Sequence, residues 1–432
     1  MPTHPPTRGR ASRRSLVQGG AAALAAGLTA RVAHAAGSDT IKIGLIGCGG
    51  RGTGAVKDCL NASNHIKQNI QIWALADLWR DRALAKRKDI TSFANKSAKG
   101  KVAVTEERCF GGFNGYKQLL ASGVDHVLVA TPPGFRPIHF PAIIAAGKHC
   151  FMEKPVCVDP WGYNEVCKAA DLARDKKLTV VAGTQRRHEV SRRETLKRIH
   201  DGAIGQLTEG QCYWRGRPVT HKRPRTAGMS DIEWQVLNWY AWCWTCGDHI
   251  VEQHVHNLDM ICWAFGTHPE SAYGIGGRQS RPEPGNIYDH LAVEFTFPGG
   301  ARVASYCSHF QKSTTRVGEQ VVGTKGTSNL SNSIGGAKTW RYKGKDLNPK
   351  VQEHIDCLNS ITGKGDHWNQ ARQVAESSMT AVLGRMSCYT GRQIKWDWAT
   401  TQSKLKLGPA DRHAFGPYEP PPVAVPGQTE LI

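Results

Sequence analysis

Ile41–Leu60 reads IKIGLIGCGGRGTGAVKDCL, an apolar strand that runs into Gly47, Gly49 and Gly52 and then into a helical pattern with apolar Ala55, Val56, Cys59 and Leu60. The glycines are spaced G-x-G-x-x-G. The first permits a tight turn, the second lets backbone approach a pyrophosphate, and the third lets helix and strand pack closely. A helix starting here offers unpaired N–H groups and a positive dipole end to phosphates. The motif alone is a weak signal, and its setting strengthens it. A second apolar run, Gln71–Ala76, ends at Asp77, 25 residues after Gly52. A carboxylate there is placed to hold the adenosine ribose hydroxyls, which favours NAD over NADP because a 2′-phosphate would meet a like charge. Arg80 and Arg82 lie close enough to weaken that preference, so NADP stays open. The alternative is a glycine turn without a ligand.

Strand and helix patterns alternate from Ile41 to Ala182, as in a doubly wound parallel sheet. His126–Ala130 (HVLVA) reads as a buried strand. A helix over Pro137–Ala146 stops at Gly147, a C-terminal cap position. A strand over Cys150–Glu153, a helix over Trp161–Arg174 and a strand over Leu178–Ala182 complete an N-terminal Rossmann domain, residues 41–182. Lys86–Lys101 is polar and reads as a surface insertion.

Beyond Gly183 the period changes. Thr208–Trp214, Leu291–Phe297 and Arg302–His309 alternate as strands of a large, mostly antiparallel sheet, with Phe297-Pro298-Gly299-Gly300 as a hairpin turn. Helices are expected near Ile250–Ala264, Val351–Asn359 and Ala371–Tyr389. Residues 183–400 thus form a second, α+β domain, and a proline-rich tail, 416–432, extends over the surface.

The first 35 residues read as an export signal. Ser12-Arg13-Arg14-Ser15-Leu16 resembles the twin-arginine pattern, a mild apolar run follows from Gly19 to Ala30, and Ala33-His34-Ala35 suits a small-residue cleavage site. The apolar run is too short to span a bilayer stably; an uncleaved anchor is the alternative. This pattern implies export of a folded protein to the periplasm or beyond by the twin-arginine machinery. Free dinucleotide is expected to be scarce there, so the cofactor is expected to be loaded beforehand and held tightly.

The chain is strongly basic, with 56 Lys and Arg against 36 Asp and Glu and a net charge of +20. That suggests anionic surfaces or glycans, or simply solubility. An exported chain without a binding motif is not expected to bind nucleic acid. Thirteen cysteines, an odd number, give no disulfide framework in a chain this long. Cys243 and Cys246 form one C-x-x-C beside tryptophans and, with no second pair, read as buried residues.

Two more segments carry a family signature: Glu153-Lys154-Pro155 after the fifth strand, and Glu252-Gln253-His254-Val255-His256-Asn257-Leu258-Asp259 in the second domain. With the glycine turn, Thr131-Pro132-Pro133 and His139, they resemble the Gfo/Idh/MocA oxidoreductases. The resemblance implies a Rossmann domain joined to an open-faced α/β domain, oxidation of a sugar or polyol hydroxyl with NAD(P), and a homo-oligomer. It implies cofactor contacts at Gly47, Gly49, Gly50, Arg51, Gly52, Asp77, Thr131, Pro132, His139, Glu153 and Lys154. By the same resemblance His256 matches the catalytic histidine, Glu252 stands where the family has an aspartate, Asp259 matches a downstream aspartate, and His254 replaces a glycine.

The residues support separate arguments. Lys154, extended before a proline at a strand's carboxyl end, can hold a hydroxyl and ease loss of its proton, with partial desolvation lowering its pKa. The alternative is a surface pair with Glu153. Glu252, His256 and Asp259 at i, i+4, i+7 share one face of a continuous helix, where histidine serves as acid/base and a carboxylate orients it. His249, His254 and His256 with Glu252 also invite a metal reading, but their spacing needs a break in the helix, so none is expected. The resemblance further implies that Thr184–His188 enters the substrate pocket, which makes Arg186 a candidate substrate contact, as it makes Asp259; paired surface arginines are the alternative for the first. Arg215, Arg217, His221, Lys222, Arg223 and Arg225 make a basic loop, either solvated or facing an acidic sugar. Trp234, Trp239, Trp242 and Trp244 read as core more than as a sugar platform.

Three functions follow in order. The first is an exported sugar or polyol oxidoreductase. The second is a glycoside hydrolase or lyase that oxidises transiently, eliminates, and returns the hydride. The third is a non-catalytic sugar-binding protein with a structural dinucleotide.

Overall fold

The computed structural model describes residues 40–281 and 284–432; the export-signal pattern lies outside the described residues. Six strands form the first sheet: β1 (Ile41–Ile46), β2 (Ile70–Ala76), β3 (Cys109–Phe110), β4 (His126–Val129), β5 (His149–Met152) and β6 (Val180–Ala182). Their order is β3-β2-β1-β4-β5-β6, the doubly wound arrangement expected from the alternating pattern. β1 and β4 are almost continuously apolar because helices cover both faces of a parallel sheet. They pair in parallel from Ile43↔His126 to Ile46↔Val129. The strand order reverses between them, so their carboxyl ends open a crevice at Gly47 and Ala130.

The stretch read as an insertion is instead part of a regular helix, Arg80–Ser97. Its polar sequence misleads because only a narrow stripe, Ala83, Ile90 and Ala94, is buried. That stripe suffices to dock it as the crossover after β2.

Nine strands form the second sheet: β7 (Leu207–Gly216), β8 (Ser271–Gly277), β9 (His290–Thr296), β10 (Arg302–His309), β11 (Arg316–Gly323), β12 (Gly326–Ser328), β13 (Ser333–Gly336), β14 (Trp340–Arg341) and β15 (Ile394–Lys395). The order is β14-β13-β12-β11-β7-β10-β9-β8-β15. β9 and β10 form the expected hairpin through a turn at Pro298–Gly300. β7 and β10 are parallel, an exception in an otherwise antiparallel sheet. One face carries helices, including Ala371–Thr390, which packs on β8, β9 and the Pro160–Asp175 helix. The other face leaves Tyr273, Ile275 and Tyr306 exposed.

The helix expected over Ile250–Ala264 is broken. His249–Glu252 and Val255–Phe265 are separate helices, with Gln253 and His254 at the joint. Tertiary bonds override the local pattern here. His254 turns into the core, where its Nε2 meets Ser305 Oγ at 2.8 Å, and Gln253 Oε1 meets His309 Nε2 at 2.7 Å. The tail lies extended on the surface, its carbonyls at Tyr418, Pro421 and Ala424 taking bonds from Gln235, Asn286 and Tyr288. All thirteen cysteines are free and buried. Among the described residues no helix is long and apolar enough to cross a membrane.

Candidate active site

A cavity of about 580 Å³ opens at the carboxyl ends of β1 and β4 and is lined by residues from both sheets' domains, a size suited to a small-molecule ligand. The glycine turn forms one wall. Gly47 has φ +95, and a Cβ there would come within 2.8 Å of the Ala130 and Thr131 backbone. A Cβ on Gly52 would lie 1.9 Å from the Gly47 carbonyl oxygen. At Gly49, by contrast, a Cβ would meet nothing within 4 Å among the described residues. The helix Gly50–His65 begins there with no side-chain cap and no acid in its first turn. Its first amides are therefore left for an anionic ligand, and the residues present fit a dinucleotide pyrophosphate.

Asp77 lines the same cavity. Its Oδ2 accepts from the Cys48 amide at 2.8 Å, its Oδ1 accepts from the Trp79 amide at 3.1 Å, and Arg82 pairs with it at 3.4 Å. Arg82 also stacks on Trp79. Arg80 turns away, donating to the carbonyls of Cys109 and Glu106, so only one of the two arginines stands beside the carboxylate.

Arg51 bridges Glu153 and Asp58, each at 2.8 Å. Glu153 packs so close to Gly183 that a Cβ there would sit 2.4 Å from its Oε2. Thr131 Oγ1 meets His139 Nδ1 at 3.1 Å. Burial, with Arg136 and His413 as like charges, pushes His139 down to about 3, so its ring is neutral. Arg136, overlooked in the sequence, is buried and donates to the carbonyls of Thr131 and Glu153. It ties the β4 loop to the β5 loop.

Lys154 follows β5 and projects into the cavity. Its Nζ donates to the Glu252 carbonyl and pairs with Glu252 Oε1 at 3.1 Å. The partner is thus Glu252, not the neighbouring Glu153. His256 completes the group, buried and stacked on Trp214 with centroids 6.0 Å apart. Burial first, then Lys154, Arg186, Lys350 and Arg192, hold its imidazole well below the ordinary value. It stands in the neutral, proton-accepting form.

Two expected substrate contacts are drawn out of the cavity. Asp259 is buried in a fork with Arg187, at 2.8 Å to its Nε, and accepts from Ser377 Oγ at 2.7 Å. The helix break falls between Glu252 and His256, so the three no longer lie on one continuous helix, and it is the Arg187 fork that draws Asp259 away. Arg186 pairs with Glu319 and donates to the His256 carbonyl at 3.4 Å. Gln185, one residue earlier, lines the cavity in its place.

Phe113, Tyr116, His221, Trp239, Lys350 and Glu353 also line it. His221 comes from the basic loop, and Trp239 sets its ring edge-on to it at 5.5 Å. Trp242 and Trp244 are core. The histidines do not converge on a metal: His249 bonds Asp248 at 2.8 Å, His254 faces Ser305, and no group of three or more ligating side chains occurs among the described residues.

Residues 41–184 match the model of an oxidoreductase family with an NAD-binding Rossmann fold, Gfo/Idh/MocA, and residues 193–329 match the C-terminal domain model of the same family. The 2,7-anhydro-N-acetylneuraminate hydratase of Escherichia coli is 28% identical over 182 residues, covering 41% of this chain and 44% of that protein. The inositol 2-dehydrogenase of Serratia proteamaculans is 25% identical over 264 residues, covering 61% and 66%. The matched stretch thus spans between under half and two thirds of these relatives. Among solved structures, the aldose-aldose oxidoreductase of Caulobacter crescentus, complexed with glycerol, superposes with a TM-score of 0.62 at 14% identity, covering 82% of this chain and 99% of that one. At that identity the likeness is one of fold.

Proposed function

Because the chain belongs to the Gfo/Idh/MocA family, whose two models together match more than half of it, we propose that it is an NAD(P)-dependent oxidoreductase of a sugar, polyol or sugar derivative. The observation that carries this reading is the single cavity in which the glycine turn and Asp77 meet Lys154, Glu252 and His256. Gly49, Gly50 and Arg51 would hold the pyrophosphate, Asp77 the adenosine ribose, and Thr131, Pro132, His139 and Glu153 the nicotinamide half. When bound, the nicotinamide supplies the hydride acceptor. Lys154 holds the substrate hydroxyl through Nζ, kept in place by both oxygens of Glu252 that it touches. The neutral His256 accepts the hydroxyl proton as the carbon loses hydride. Trp239, His221 and Gln185 shape the far wall, where sugar C–H faces and hydroxyls would lie.

The test is made on purified protein without added cofactor: near-ultraviolet absorbance of reduced nicotinamide is followed while sugars, polyols and glycosides are added. A rise with particular compounds supports the proposal. Absence of dinucleotide after denaturation would overturn tight retention.

A second reading is transient oxidation without net redox change, as in glycoside cleavage or elimination. One similar protein is named a hydratase, a net addition of water, although the family model describes NAD binding. Product formation with the cofactor unchanged would favour it. A non-catalytic sugar binder would show neither. The N-terminal pattern extends the proposal to export in the folded state. Replacing Arg13 and Arg14 by Lys should then keep the protein in the cytoplasm. The row Ile275, Tyr306 and Tyr213, aligned across β8, β10 and β7 with the first two exposed and the third half-buried, supports a homo-oligomer, which light scattering would test.

A further inference from the structure

We propose that Glu353 is an additional residue of the dinucleotide site, presented from the second domain, whose buried carboxyl hydrogen-bonds a hydroxyl or amide group on the nicotinamide half of the cofactor. This rests on reading the cavity as a dinucleotide site. Glu353 lines that cavity and is 2% exposed, and its Oε2 is buried without a hydrogen-bond partner among the described residues. A buried carboxyl oxygen left unpaired is costly, and a ligand group in the cavity would satisfy it. No protein group hydrogen-bonds it: the Arg51 charge acts on Glu353, but its guanidinium pairs with Glu153 and Asp58 and makes no hydrogen bond to Glu353 among the described residues.

The position follows from the packing. Glu353 sits in the first turn and a half of the helix Pro349–Ile361, which packs against the glycine-turn helix Gly50–His65. It therefore stands near Arg51 and Glu153, in the same cavity lining as Lys154. Burial, and the charges of Glu153 and Asp58, push its carboxyl well above the ordinary range, against the opposing pull of Arg51 and Lys350. A neutral acid both donates and accepts, which suits a ribose hydroxyl or a carboxamide. It also brings no negative charge toward the phosphates.

The experiment is calorimetric titration of the full-length protein, cleared of co-purified dinucleotide, with NAD and separately with AMP. Glu353→Gln keeps a neutral donor and acceptor and should bind NAD within about threefold of the parent. Glu353→Met fills the same space without hydrogen bonds and should weaken NAD by about tenfold or more while leaving AMP, which lacks the nicotinamide half, unchanged. Unchanged NAD affinity in Glu353→Met overturns the proposal. Equal weakening of NAD and AMP overturns it too, since Glu353 would then be structural. A parent protein that binds neither NAD nor NADP would instead sink the dinucleotide reading on which it stands.

Discussion

At His256 the neighbours are mostly cations: Lys154, Arg186, Lys350 and Arg192 all disfavour its protonation, on top of burial. The ring stays neutral until the solution is well below its ordinary pKa of about 6.5. The rate should therefore show no acid limb from this group between pH 8 and about 6, and a limb centred near 6.5 in kcat/KM would contradict that placement. Lys154→Ala and His256→Ala should each lower turnover about 10²-fold or more, with the bound dinucleotide released on denaturation unchanged. Loss of dinucleotide in step with turnover would make these cofactor-holding residues instead. Asp77 braces the Cys48 amide, and in the proposed dinucleotide site its carboxylate would also disfavour a 2′-phosphate. Asp77→Ser, with Arg82 left beside it, should shift the NAD:NADP affinity ratio toward NADP, as titration with both cofactors would read.

The glycine turn separates folding from binding at the level of one element. Gly49→Ala adds a methyl that meets nothing in the protein. Its melting temperature without cofactor should match the parent, while NAD binding falls, because the methyl takes space where phosphate would lie. Gly52→Ala drives a methyl into the Gly47 carbonyl, so both stability and binding should drop, stability by about 1–3 kcal/mol. Calorimetry and thermal melts on the pair distinguish these outcomes. This turn was legible in the sequence because its demands are local: three glycines, a strand before and a helix after. E-K-P is read through the family resemblance, since on its residues alone a surface pair between Lys154 and Glu153 is the stronger reading. The Gln253–His254 break was not, since His254 is pulled inward by Ser305 and Cys212, residues far along the chain. Missing that break put Glu252 on one continuous helix with His256 and Asp259. Arg136 and Glu353 escaped notice because an isolated Arg or Glu in a helix reads as solvated. Only tertiary packing buries them. For Glu153 a faint trace existed in Gly183, whose missing side chain makes its room.

Across the whole molecule many histidines are buried without charge. His126, His139 and His254 are pushed to about 3 and His149 to about 4, burial leading in each. Unfolded, each would titrate near 6.5, so below that pH the unfolded chain binds more protons. Their contribution to stability is whole above about pH 6.5 and declines as pH falls toward 3–4. Melting temperature should be flat from pH 8 to 7 and drop progressively from pH 6 to 4; a protein equally stable at pH 7 and 5 would contradict this. One long-range link joins the first sheet to the far end of the chain. The outer strand β6 is completed by residues 368–370: the Val180 amide donates to the Trp368 carbonyl, the Gln370 amide donates to the Val180 carbonyl, and the Gln370 side chain accepts from the Ala182 amide. An uncovered edge strand is a template for pairing with other chains. During synthesis, β6 leaves the ribosome long before its cover exists. The nascent first domain must therefore wait with an open flank, and translation arrested short of Trp368 would leave a species prone to stick to its own kind.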